Sequence, residues 1–358
     1  MTIPQPLFFT LPQLTERLPA PRTHPQAEQG ERRSVAWCRE HLPSLLGNEA
    51  SVEAFLAKKC ELIATHVYPD VATDRLDLIH DWMTYFAAVD DLLDDVRPAD
   101  RTTASMPAIL DPLLSALHSG VQPDDSPAYI HEMLDLIARL DKDLTREQKQ
   151  RLVAAVEEYA NGCADEDQLR VAGAITDFDT YMAAHVAVSH GSVVVLLLEY
   201  GLNIDVSAHL ADPTELREAK DAAIRHVLLV NDLFSYRKEH FTGEVSDNAI
   251  TLFTKHYGLD FQEAVQHLCD LILQTEREFY AFHDQVRATP TGHDPVVRTF
   301  LHGLEMLCSG YVRYSYVTPR YNGVDHNWNG VTSGTVTLLP DPTVYTAADS
   351  NDHPPRTR

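Results

Sequence analysis

An all-α fold, built as one large domain, is what this sequence predicts, and three observations predict it. Apolar residues recur at the i, i+3, i+4 spacing of a helix face in ten long blocks. The breaks between blocks carry the Pro, Gly and Asp that stop helices, as in Arg97-Pro98-Ala99-Asp100, Gln122-Pro123-Asp124-Asp125 and Thr289-Pro290-Thr291-Gly292. No alternating strand pattern competes with them.

In chain order, residues 1–33 form an extended arm, because the first thirty residues hold six prolines and one glycine and sustain no period. The folded part starts near Ser34. The periodic blocks then cover 34–46, 50–66, 74–96, 103–118, 126–139, 144–160, 177–201, 213–242, 260–287 and 293–316. Together they make one helical domain over 34–321. The remainder, 322–358, is rich in Gly, Pro, Asn, Asp, Ser and Thr and is expected to be a flexible tail. No internal repeat and no long linker divides the chain.

Composition narrows the function. The chain has 358 residues, 44% of them hydrophobic and 23% charged, which is an ordinary globular balance. Its formal charge of −24 opposes encounter with nucleic acid or an anionic membrane and favours metal cations. Cys38, Cys60, Cys163, Cys269 and Cys308 are odd in number and scattered, so neither a disulfide framework nor a zinc site is expected. MTIPQPLFFTLPQL lacks the basic and apolar regions of a signal peptide, and the most apolar run, Val193 to Leu198, falls short of the ~20 residues that span a bilayer. A soluble, cytoplasmic protein is expected.

Two constellations carry chemistry. In DLIHDWMTYFAAVDDLLDD, Trp82, Phe86 and Asp90 stand at i, i+4, i+8, so one helix face runs from aromatic to acidic. Asp90, Asp91, Asp94 and Asp95 would repel one another if buried without a cation, and dense carboxylate oxygens suit Mg²⁺. A solvated helix end competes as an explanation, and it is the one adopted for the acidic run Asp165 to Gln168. In HVLLVNDLFSYRKEH, Asn231, Ser235 and Glu239 drift only about 80° around a helix while climbing about 12 Å. An amide, a hydroxyl and a carboxylate on one face can chelate a metal, with Lys238 beside them for a phosphate. Alone, this stripe is equally an ordinary amphipathic surface; the pairing of the two constellations favours metal.

That pairing, DDLLD followed about 140 residues later by NDLFSYRKE, resembles the metal motifs of class I terpene synthases (terpene cyclases). The stretches HPQAEQGERRSVAWCREH and YPDVATDRLDLIHDWMTYFAAVDD are similar to segments of the bacterial branch, and Arg320-Tyr321 in YSYVTPRY resembles a C-terminal pair that closes on diphosphate. The resemblance implies a helical bundle around a central apolar pocket. It implies three Mg²⁺ held by Asp90, Asp91, Asp94, Asn231, Ser235 and Glu239, with Asp95 solvated. It also implies ionisation of a prenyl diphosphate, farnesyl or geranylgeranyl, and cyclisation of the carbocation. Asp90, Asn231, Ser235, Glu239, Arg320 and Tyr321 become the expected catalytic set. Lys238, Arg320 and Tyr321 would bind diphosphate, Trp82, Phe86 and Tyr314 would line the pocket or simply pack, and a homodimer is expected.

The chain departs from the family where an arginine usually senses diphosphate. Tyr181-Met-Ala-Ala-His185 puts histidine there, 46 residues before Asn231. A neutral imidazole donates one hydrogen bond where arginine offers a charged fork, so His185 binds diphosphate well only if protonated. Arg237 and Arg313 are further cations that could compensate. A core histidine is the competing reading. Chain-elongating prenyl diphosphate synthases need a second aspartate-rich motif where Asn231 stands, and an inactive helical scaffold would have no use for the chelating order. Magnesium-dependent release of diphosphate separates these alternatives.

Overall fold

A computed structural model describes residues 6–96, 106–119, 127–211, 214–242, 248–340 and 342–347. Sixteen α-helices follow in order: α1 Ala27–His41, α2 Pro43–Leu46, α3 Glu49–Leu56, α4 Leu62–Val67, α5 Thr73–Val96, α6 Met106–Ser119, α7 Ala128–Asp141 and α8 Arg146–Val171. Then come α9 Phe178–Ala187, α10 Gly191–Leu202, α11 Ser207–Leu210, α12 Glu215–Thr242, α13 Ala249–His256, α14 Phe261–Arg287, α15 Pro295–Val317 and α16 Pro319–Asn322.

Local chemistry starts the long helices. Thr145 and Gln148 form a reciprocal capping box on α8, and Asp260 and Glu263 do the same for α14. α15 begins with Asp294 accepting from the Val296 N–H and with Pro295 in the first turn, where a missing N–H costs nothing. The block expected over 177–201 is two helices. His190, in the left-handed region at φ 54°, breaks it into α9 and α10.

α12 lies against α14 and α15 over much of its length, and α15 also packs on α4. Gly310 permits that approach: a Cβ there would sit 2.1 Å from the His66 carbonyl oxygen. α5 is fixed by a buried charge. The inaccessible Asp81 carboxylate accepts from Arg33 of α1 at 2.7 Å and Arg139 of α7 at 2.6 Å, and removing either partner would leave a buried charge short of compensation.

The chain ends differ from expectation. α1 starts at Ala27, inside the expected arm, and residues 7–11 form strand β1. β1 (Leu7–Leu11) pairs antiparallel with β2 (Gly334–Leu338), which pairs antiparallel with β3 (Val344–Ala347), in the region expected to be a flexible tail. Phe9, Leu11, Val336 and Leu338 are buried, so these short strands gain from the core what their composition does not advertise. The segment between β1 and α1 lies on α14, where the Glu276 carboxylate accepts the backbone N–H groups of Glu16, Arg17 and Leu18. Asp165 to Gln168 also departs from the solvated reading: Glu166 and Asp167 are buried on α8, and Asp167 pairs with Arg170. No single helix among the described residues is long and apolar enough to cross a membrane.

Candidate active site

α5 delivers one carboxylate to a cavity of about 250 Å³ and the next to the cleft beside it. Asp90 lines that cavity and is exposed, whereas Asp91 faces the neighbouring cleft and is 14% exposed. Arg320, buried at 6% exposure, spans the two, with Nη2 at 2.6 Å from Asp90 Oδ2 and Nη1 at 3.0 Å from Asp91 Oδ1. Lys58 donates to Asp91, and Lys238 Nζ stands 3.6 Å from a carboxylate oxygen of each aspartate. Burial alone would raise the Asp91 pKa; Arg320, Lys238 and Lys58 outweigh it and hold the carboxyl well below the usual range. The side chains of Asp94 and Asp95 lie outside the described residues.

The opposite wall comes from α12. Asn231 donates both amide N–H groups, to Tyr311 Oη at 2.8 Å and Tyr321 Oη at 2.7 Å, and the two hydroxyls lie 2.8 Å apart. This fixes the amide and leaves its oxygen as the group a cation would meet. One turn on, Ser235 Oγ is buried and makes no hydrogen bond of normal geometry, although it lies close enough to Glu239 to favour its ionised form. Burial pushes the Glu239 carboxyl up to about 8, against the opposing influence of Ser235, Lys238 and Asn248, which donates to it at 2.9 Å. An orphaned hydroxyl and a desolvated carboxyl on one helix face, below an oriented amide, are a hard-oxygen donor set short of a cation, and a divalent metal fits it. Among the described residues, no three His, Cys, Asp or Glu side chains converge on one point, as befits a face that contributes an amide, a hydroxyl and one carboxylate.

Arg320 and Tyr321 join these walls, since one residue holds Asp90 and the next holds Asn231. Asp90, Asn231, Arg320, Tyr321 and His185 line the same cavity, while Ser235 and Glu239 lie off its wall. His185 Nε2 is 3.2 Å from the buried Asp232 Oδ1, and the Tyr181 hydroxyl donates to the same carboxylate at 2.8 Å. Burial lowers the His185 pKa, but Asp232 outweighs it and raises the value to about 9, so the imidazole is protonated at neutral pH.

Phe86 and Tyr314 line the cavity. Trp82 does not; it is inaccessible and packs behind Phe86, with ring centroids 5.3 Å apart. His190, absent from the sequence reading, is stacked between Phe86 and Tyr159 at 3.9 and 3.7 Å, and burial lowers its pKa to about 3. Lys58, Tyr311, Asp232 and Asn248 were likewise unforeseen, because a lone Lys, Tyr, Asp or Asn carries no signal until tertiary contacts give it a partner. Arg237 and Arg313 are engaged elsewhere: Arg237 donates to the Leu339 and Pro340 carbonyls, and Arg313 lies over the Trp328 ring.

The family model for terpene synthase family 2, C-terminal metal binding, matches residues 81–278, which contain both constellations. The microbial terpene synthase-like protein 13 of Selaginella moellendorffii is 26% identical over 86% of this chain and 86% of its own. A sesquiterpene synthase of Cyclocybe aegerita is 25% identical over 78% of this chain and 79% of its own. Among solved structures, germacradien-4-ol synthase from Streptomyces citricolor, 18% identical, shares the fold at a TM-score of 0.71 over 85% of this chain and 98% of its own. A helical bundle whose metal-binding half spans both donor walls, matched by these relatives, makes this chain a member of the terpene synthase family, a class I terpene cyclase.

Proposed function

We propose that the chain is a carbon–oxygen lyase that ionises a C15 prenyl diphosphate with three Mg²⁺ and cyclises the resulting cation. The single observation that carries this reading is the pair of donor walls joined by Arg320 and Tyr321. The sesquiterpene product named for a relative supports C15 over C20. Asp90, Asp91 and Asp94 on one side and Asn231, Ser235 and Glu239 on the other would hold the metal. Divalent cations there, when bound, neutralise charge on the diphosphate leaving group.

The remaining work falls to side chains. Arg320, Lys238 and Lys58 already gather at the aspartates and are within reach of an anionic diphosphate at the mouth. Tyr321 Oη, held by Asn231 and Tyr311, offers a further hydrogen bond. His185 contributes the positive charge that the family draws from arginine, with Asp232 and Tyr181 keeping the ring protonated and oriented. Deeper in the cavity, Phe86 and Tyr314 exclude water and turn aromatic surface toward the carbocation, where cation–π attraction stabilises it. His190 stays neutral there, so it adds no repelling charge beside that cation.

The test is incubation with C10, C15 and C20 diphosphates, with and without Mg²⁺, reading released diphosphate and the hydrocarbon extract by gas chromatography. Mg²⁺-dependent turnover with C15 preferred is expected. Equal or faster turnover of the C20 substrate contradicts the chain length, and no release from any of them contradicts the activity.

A further inference from the structure

We propose that the C-terminal segment following the Arg320–Tyr321 pair is a strap that sets that pair over the site, with Arg237 and Tyr345 as its positioning residues. This rests on the reading of Arg320 and Tyr321 as diphosphate contacts. The first anchor of the strap is Asn322. Its side-chain amide donates to the Ser315 carbonyl at 2.8 Å and the Thr318 carbonyl at 3.0 Å, closing the end of α15. Its side-chain oxygen accepts from the buried Tyr345 hydroxyl at 2.7 Å, and its backbone carbonyl accepts from the Thr343 N–H at 2.7 Å. Every polar group on Asn322, including its own N–H, which donates to the Thr318 carbonyl at 3.2 Å, is thus engaged either by the turn it closes or by the strand region that returns over it.

Arg237 supplies the second anchor. It lies on α12 with Asn231, Ser235 and Glu239, and its side chain is nearly inaccessible. Its Nε donates to the Leu339 carbonyl at 2.7 Å, Nη2 donates to the Pro340 carbonyl, and Nη1 reaches the Tyr321 carbonyl at 3.5 Å. In a chain with 29 basic and 53 acidic residues, a guanidinium near an anion-binding site directs its fork at backbone carbonyls. The reason is geometric: the helix that carries one donor wall thereby fixes the carbonyl of the residue that binds Asn231. Arg313 over Trp328 at 4.1 Å and the Tyr316 hydroxyl on the Thr332 carbonyl at 2.9 Å hold the intervening loop. Pairing of β2 with β1 then ties the strap to the opposite end of the chain.

Tyr345→Phe removes one hydroxyl and leaves the ring buried. The expected result is a KM for farnesyl diphosphate raised about fivefold, the factor one ordinary hydrogen bond carries, with kcat unchanged. Amide hydrogen exchange over residues 318–322 should quicken by a similar factor, while α5 and α12 exchange as in the wild type. Arg237→Lys should retain more of the wild-type KM than Arg237→Ala, because one point-charge donor replaces part of the fork. Wild-type KM and wild-type exchange in Tyr345→Phe would overturn the proposal, as would faster exchange spread evenly over the chain, which is ordinary destabilisation. Exchange needs no substrate, so a wild-type protein inert toward farnesyl diphosphate would refute the substrate and leave the strap to be judged by exchange alone.

Discussion

The two walls of the site meet the same electrostatic problem in opposite ways. On α5, Asp90 and Asp91 are already matched by Arg320, Lys58 and Lys238, and Asp91 stays ionised despite its burial. On α12, Glu239 is buried deeply enough to hold its proton at neutral pH, and Ser235 Oγ beside it lacks a good partner. The first wall is a set of ion pairs that stabilises the fold as it stands. The second carries a desolvation cost that Ser235, Lys238 and Asn248 offset only in part and that a bound divalent cation would relieve further. The two walls can therefore be told apart by what removal of a residue from each does to stability.

The sharpest way to break this contrast is Glu239→Gln, which is isosteric with the protonated carboxyl. Diphosphate release should fall roughly 10²–10³-fold, the scale of one lost preorganised electrostatic contact, while the thermal midpoint without metal stays at the wild-type value. Asp91→Ala should cost stability as well as release. Removing it leaves the largely buried Arg320 undercompensated, so urea unfolding should show a loss of about 3 kcal/mol. If both variants lose stability equally, the two walls are not different in kind.

A smaller effect is expected at His185. His185→Gln should lower kcat/KM about tenfold, as for a hydrogen bond to a charged group. Its charge also contributes to folding. Because the folded-state value, about 9, lies above the unfolded value of about 6.5, that contribution is fully present below pH 6.5 and is lost as pH rises through 9. The stability gap between wild type and His185→Gln should therefore close on the alkaline side. A gap that widens with pH would mean the ring is neutral in the folded chain.

How much of this was legible in the sequence follows from range. The donor walls sit in long helices whose apolar period is strong, so Asp90 and Asn231, Ser235 and Glu239 could be placed on their faces from spacing alone. Trp82 shared that period but not the cavity, because a helical stripe a little over one turn wide cannot tell the layer facing a pocket from the layer behind it. The terminal sheet was invisible for another reason. LFFTL and GTVTL are five-residue strands separated by more than 300 residues, and nothing local announces a partner so distant. The His185–Asp232 pair was missed likewise: Asp232 looks like part of a metal motif until α9 is seen to pack against its far side.

The most direct test of the account is diphosphate release from farnesyl diphosphate by the wild type and Glu239→Gln, each with Mg²⁺ and with chelator, alongside their thermal midpoints. The account predicts release by the wild type only with Mg²⁺, near-complete loss in Glu239→Gln, and matching midpoints in chelator. Wild-type release without Mg²⁺, or undiminished release by Glu239→Gln, would contradict it.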